Sequence, residues 1–217
     1  MRRLLLAFVS LIIVGVPAAF AQPHYVDGLR NRYFVVVWGY EGDGNAPRDS
    51  HTFAAFYKGD DLAKGRVRPD TISWLPADGG VSLIGTEQGR NFSLAETLAM
   101  ACRDGKRVAR WGPYETSFDL YQRALARIGL LASGRVSYSG LALVPGTMNC
   151  IKAAGDITDT AFVAGIFWGL AASEAVVHHF SQFFKNGGRI DKPVARMILS
   201  DTLCANGMSP EKRAADK

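Results

Sequence analysis

The chain has 217 residues, of which 48% are hydrophobic and 21% charged, enough to bury a sizeable core. Lys and Arg exceed Asp and Glu by 25 to 20, a formal net charge of +5. That excess is too mild to indicate a nucleic-acid binder, and no Lys/Arg run interleaves with aromatics.

Met1-Arg2-Arg3, the apolar run Leu4–Val16 and the ending Ala19-Phe20-Ala21 are the three parts of a secretory signal peptide. The organisation read from the sequence is a signal peptide at 1–21, a single α+β domain at 22–207 and a polar tail at 208–217. Cleavage after Ala21 leaves 196 of the 217 residues and lowers the net charge from +5 to +3, because Arg2 and Arg3 leave. The expected location is outside the cytoplasm, periplasmic or secreted.

Cys102, Cys150 and Cys204 all follow the cleavage point. In an oxidising compartment two can pair and one is left over. A Cys102–Cys204 bond leaves Cys150 free; a structural bond at Cys150 is the other arrangement. Sequence alone does not give the connectivity.

In chain order, 24–32 reads as a polar, mobile lead-in. Arg32–Tyr40 is aromatic and β-branched and predicts a buried strand. Glu41–Arg48, rich in Gly, Asp and Pro, predicts a loop. Ser50–Lys58 predicts the next strand, with His51, Phe53, Ala55 and Tyr57 on one face. Asp70–Pro76 predicts a third, so the chain begins as an antiparallel meander.

Phe92–Arg103 predicts a helix, opened by a Ser93/Glu96 capping box. Trp111–Glu115 reads as a turn. Phe118, Tyr121, Leu125 and Ile128 form a one-sided apolar stripe, which predicts a helix over 115–128. Val136–Val144 reads as a strand, and Asn149–Ala154 as the start of a helix. The run 160–177 has nearly the length of a membrane span. Glu174 within it and His178-His179 after it favour a core helix instead, so membrane association through 160–177 is not the favoured reading. That helix is expected to run on to Phe184, and Pro193–Leu203 to form a last one.

Cys150 follows the Pro145-Gly146 turn and sits where a helix begins. Free N–H groups and the positive end of a helix favour thiolate, the form that attacks carbonyls. His51, about a hundred residues upstream, can serve as base. The pair predicts that folding brings His51 beside Cys150. Glu41 or Asp49, from the preceding loop, could orient the ring. His178 and His179 are adjacent, so on a helix they point apart and form no two-ligand face. Glu174 with His178 lacks a third ligand. The sequence therefore calls for no metal and no cofactor.

Asp49-Ser-His-Thr-Phe-Ala-Ala-Phe56 followed by Asn149-Cys-Ile-Lys-Ala153 resembles the circularly permuted papain-like branch. That branch includes permuted NlpC/P60 and lecithin-retinol-acyltransferase-like proteins. The matched order spans roughly residues 33–157. The chain has Ile151-Lys152 where the acyltransferase-like members have Glu-His. The resemblance implies an antiparallel sheet packed against helices, with a C-terminal helical segment. It implies a Cys150 nucleophile, a His51 base and a polar group on the strand after the histidine, here Ser73, with Thr71 second. The implied activity is a cysteine hydrolase or acyl-transfer enzyme acting on an amide or ester. Its partner is a cell-wall peptide or a lipid acyl group of the cell envelope. The alternative is a non-catalytic periplasmic or envelope binding protein on the same scaffold, with a structural Cys150.

Overall fold

The computed structural model describes residues 28–44, 46–79, 85–158, 162 and 168–199. Its centre is a four-stranded antiparallel sheet. Strands β1 (Tyr33–Glu41), β2 (Ser50–Lys58) and β3 (Asp70–Ile72) form the expected meander, and β6 (Arg107–Thr116) adds to the far side of β1, in the order β3-β2-β1-β6. Strand β1 is buried at all nine positions. A near-continuous apolar run suits it, because both faces of the sheet are covered.

One face carries Val35, Val37, Ala54, Phe56 and Ile72, and packs against helices α3 (Phe118–Ala132), α4 (Cys150–Gly155) and α5 (Gly169–Phe180). The other face carries Phe34, Val36, Trp38, Phe53, Ala55 and Tyr57, and packs against α2 (Leu94–Arg103) and α6 (Lys192–Leu199). Each fully buried large apolar side chain contributes on the order of 1.5–3 kcal/mol. A single helical turn, α1 (Gly59–Leu62), leads out of β2. Two short pairs complete the described elements: β4 (Trp74–Pro76) with β5 (Gly89–Asn91), and β7 (Ser137–Tyr138) with β8 (Thr147–Met148).

The capping box at α2 is present: Ser93 Oγ accepts the Glu96 N–H, and the Glu96 carboxylate accepts the Ser93 N–H. Ser117 caps α3 by accepting the Leu120 N–H at 3.1 Å.

Several expectations need correction. The lead-in is anchored where it is described: Leu29 is buried, and Arg32 pairs with Glu115 at 2.7 Å. Trp111–Glu115 is not a turn but the middle of β6, which passes through a cis Gly112–Pro113 bond opposite a register shift at Val35–Val37. Asp70–Pro76 is interrupted at Ser73, so two strands replace one. Only Ser137–Tyr138 of the run 136–144 is strand; beyond it the chain forms a loop.

Helix α5 starts at Gly169, not near residue 160. Its N-terminal Leu170 N–H is accepted by the Glu41 carboxylate at 3.2 Å. It ends at Phe180, where the chain tightens into a 3-10 turn over Ser181–Phe183. Among the described residues no helix is long and apolar enough to cross a membrane. The expected signal peptide, the polar tail and most of 160–167 lie outside the described residues.

Candidate active site

The sulfur of Cys150 sits at the open edge of β2. Strand β3 pairs with β2 only at Ala54, Ala55 and Phe56, so the stretch before Ala54 has no strand on that side. Cys150, the first residue of α4, occupies that edge. Three backbone N–H groups bond its sulfur and favour the charged form: those of Thr52, Ile151 and Cys150 itself. Thr52 is bonded directly to His51. Folding thus brings the late cysteine to the strand that carries the early histidine.

Helix α4 is short, and its neighbours fix it. Asn149 caps it, with Oδ1 accepting the Lys152 N–H at 2.8 Å and Nδ2 donating to Gly140 O at 3.0 Å. Trp74 Nε1 donates to Met148 O at 3.1 Å, holding the strand that feeds the helix. At the other end Arg127 of α3 donates to the carbonyl of Asp156 and to that of Lys152, which also accepts the Asp156 N–H at 3.0 Å. On the opposite side of Thr52, its hydroxyl meets Ser173 Oγ of α5 at 2.9 Å. That approach needs Gly39 on β1, where a Cβ would collide with Ser173 Oγ.

His51 is 1% exposed, stacked on Phe53 and tilted against Tyr40, whose ring centroid lies 5.3 Å away. Its Nε2 is 2.9 Å from Ser73 Oγ. Its Nδ1 is buried and has no hydrogen-bond partner, so no hydrogen bond yet joins the ring to the sulfur. Catalytic contacts are often loose before substrate binds. Ser73 stands at the break between β3 and β4. Its N–H donates to Asn91 Oδ1 at 2.8 Å, its carbonyl accepts the Phe92 N–H at 2.9 Å, and its hydroxyl continues to Thr97 Oγ1 at 2.7 Å.

Of the residues considered for orienting the ring, Ser73 does so and the others do not. Thr71 Oγ1 is buried without a hydrogen bond. Glu41 pairs with Arg107 and caps α5. Asp49 pairs with Lys106 at 3.1 Å. Asn91, which holds the Ser73 backbone, and Thr97, which holds its hydroxyl, escaped sequence reasoning. Thr97 follows the capping box by one residue, and only the fold points it at Ser73. Tyr138, buried beside the site, also went unnoticed. Burial raises the Tyr40 and Tyr138 phenols far above their ordinary value, and a charge on Cys150 would raise both further.

The protonation states reverse one expectation. The helix start was expected to favour thiolate. Burial instead pushes the Cys150 thiol up to about 11, against the pull of the three N–H groups. Burial also lowers the His51 imidazole to about 3. At neutral pH the pair is therefore thiol and neutral imidazole, not an ion pair. A low-dielectric site penalises both charges, and among the described residues no fixed counter-charge compensates.

Cys150 is free, whereas Cys102 is disulfide-bonded. That division is the one expected if Cys102 pairs with Cys204, which lies outside the described residues. Among the described residues no group of three His, Cys, Asp or Glu side chains could hold a metal. No family model, curated protein or solved structure matches the chain.

Proposed function

We propose that the protein is an exported cysteine hydrolase or acyl-transfer enzyme of the permuted papain-like type, using Cys150 as nucleophile and His51 as base. The observation that carries this reading is the meeting of Cys150 Sγ with the Thr52 N–H, beside a histidine whose Nδ1 is unpartnered and whose Nε2 is held by Ser73.

The chemistry follows from the protonation states. Because the thiol is neutral at rest, it loses its proton as it attacks. Cys150 Sγ bonds to the carbonyl carbon of an amide or ester while the thiol proton passes to His51 Nδ1. The oxyanion collapses, the C–N or C–O bond breaks, and the leaving amine or alcohol takes the proton back from Nδ1. Water or a second acceptor then attacks the thioester, with Nδ1 again taking a proton, and Cys150 is released as thiol. The Cys150 N–H, at the first turn of α4, faces the sulfur at rest and has no helical acceptor, so it can turn to the oxyanion as the sulfur is acylated.

Within this reading, one observation favours a lipid acyl substrate over a cell-wall peptide. The loop before Cys150 exposes Leu141 at 54%, Leu143 at 79% and Val144 at 49%, and Asn149 ties it to the head of α4. Exposed apolar residues clustered beside a nucleophile suit an apolar partner. The raised thiol favours the other reading, a non-catalytic envelope binding protein, in which Cys150 is a buried, inert side chain.

The test is covalent trapping. The protein is incubated with p-nitrophenyl acyl esters of two to twelve carbons and with peptide amides, and intact mass is recorded. An acyl adduct confined to Cys150 and abolished in His51→Gln supports the enzyme. No adduct at Cys150 with any probe, or one formed equally well without His51, leaves the binding protein.

A further inference from the structure

We infer that Thr97 is a positioning residue that sets the tautomer of His51, acting through Ser73. A line of hydrogen bonds runs from the ring to a helix backbone: His51 Nε2 to Ser73 Oγ at 2.9 Å, Ser73 Oγ to Thr97 Oγ1 at 2.7 Å, and Thr97 Oγ1 to Ser93 O at 2.9 Å. His51 is 1% exposed, and Ser73 and Thr97 are 0% exposed, so water does not interrupt the line.

The direction of that line is fixed at its far end. Ser93 O is a carbonyl and can only accept. Each hydroxyl has a single proton to give. Thr97 gives its proton to Ser93 O, one turn back along α2, the usual bond of a helical threonine. The Thr97 oxygen must then accept from Ser73. Ser73, having given its only proton, must accept from the ring. Nε2 therefore carries the hydrogen and Nδ1 carries the lone pair. The reverse order would set the Thr97 oxygen against Ser93 O at 2.9 Å with no proton between them. Nothing at the other side of the ring competes, because Nδ1 has no hydrogen-bond partner.

The line is also rigid. Asn91 receives the Ser73 N–H and donates to Thr71 O at 2.8 Å, which pins the break between β3 and β4. The capping box fixes the first turn of α2, where Ser93 and Thr97 lie. A hydroxyl thus does what a carboxylate does in a charged triad, without placing a second charge in a buried site. It holds the ring and leaves the correct nitrogen bare.

This inference rests on the reading of His51 as the base, but the tautomer can be measured whether or not the chain turns over a substrate. The probe is 15N-histidine-labelled whole protein at pH 7, read by long-range 1H–15N correlation, with the His51 signals assigned by their loss in His51→Gln. The expected result for the native protein is a protonated Nε2 and a bare Nδ1. Thr97→Val removes the hydroxyl at nearly constant shape and frees the Ser73 proton to turn toward Nε2. The spectrum should then shift toward protonated Nδ1, and Thr97→Ser should restore it. If an acyl-ester activity is found, Thr97→Val should lower kcat about tenfold or more with KM little changed, and Thr97→Ser should recover it.

A native spectrum with Nδ1 protonated overturns the inference, and that reading needs no variant to fold. An unchanged tautomer in a folded Thr97→Val protein overturns the role of Thr97. A correct tautomer with no acyl transfer to any probe leaves this inference standing and removes the proposed enzyme instead.

Discussion

The backbone N–H of Thr52 bonds the sulfur of Cys150, joining the strand of His51 to the helix of the thiol. The bond favours the thiolate, yet burial outweighs it and raises the thiol to about 11. Alkylation of the native protein by iodoacetamide should therefore be slow at pH 7–8 and climb as pH rises above 9. In urea the same cysteine should label with the ordinary pH dependence of a free thiol. Peptide mass mapping follows the reaction at Cys150. Rapid native labelling at pH 7 with a low midpoint would contradict the buried, protonated thiol.

His51 gives the opposite pH signature. Its folded imidazole titrates at about 3, against 6.5 for an unperturbed ring. Between those values the unfolded chain binds the extra proton, so stability falls as pH drops from 6.5 toward 3 and is fully present above 6.5. The full shift is equivalent to about 5 kcal/mol. Urea unfolding from pH 7 to pH 4 should show part of that loss, roughly 3 kcal/mol, in the native protein but not in His51→Gln. Parallel curves for the two proteins would show that the ring is not held neutral.

Trp74 and Gly89 should behave as one unit. A Cβ at Gly89 would run into the Trp74 indole, whose N–H supports Met148 O at 3.1 Å. Gly89→Ala is expected to cost about 1–3 kcal/mol by overpacking. Trp74→Phe is expected to cost about 1–3 kcal/mol through the lost indole hydrogen bond and the cavity left by the smaller ring, although Met148 O keeps the Ser139 N–H. The double variant should lose less than the sum, because the collision disappears with the indole. Urea midpoints measure all three, and simple additivity would refute the coupling.

Leu141 and Leu143 test the acyl reading. Both are exposed, so Leu141→Ser and Leu143→Ser should change stability by less than about 0.5 kcal/mol. If the loop receives an acyl chain, the pair of substitutions should reduce kcat/KM for twelve-carbon esters at least tenfold and leave acetyl esters nearly unchanged. Equal losses on both substrates would detach the loop from substrate recognition.

The parts legible in the sequence are those decided locally. Ser93 and Glu96 mark the start of α2 because a capping box needs only four residues. Ser50–Lys58 carries its own pattern and forms the strand it predicts. Asn149-Cys150 opens a helix because Asn149 can cap it unaided. The break at Ser73 was hidden because Asn91, a side chain eighteen positions away, makes it. Trp111-Gly-Pro reads as a turn, yet β6 passes through it, paired with β1 on either side of the register shift. The start of α5 depends on Glu41, 129 positions from Leu170. The charge of Cys150 was misjudged for a related reason: a helix end is local, but burial belongs to the whole fold.

The interruption at Ser73 has a consequence for solubility. Had β3 continued, Trp74 would have paired with Thr52, and the ladder would have used the N–H that now meets the sulfur. Ending the strand there leaves a raw margin of the sheet, the kind of border that recruits foreign chains. Helix α4 lies across it. The segment that delivers the thiol therefore also guards against strand-to-strand association, and loosening α4 through Arg127 or Asn149 should favour aggregates before it unfolds the rest.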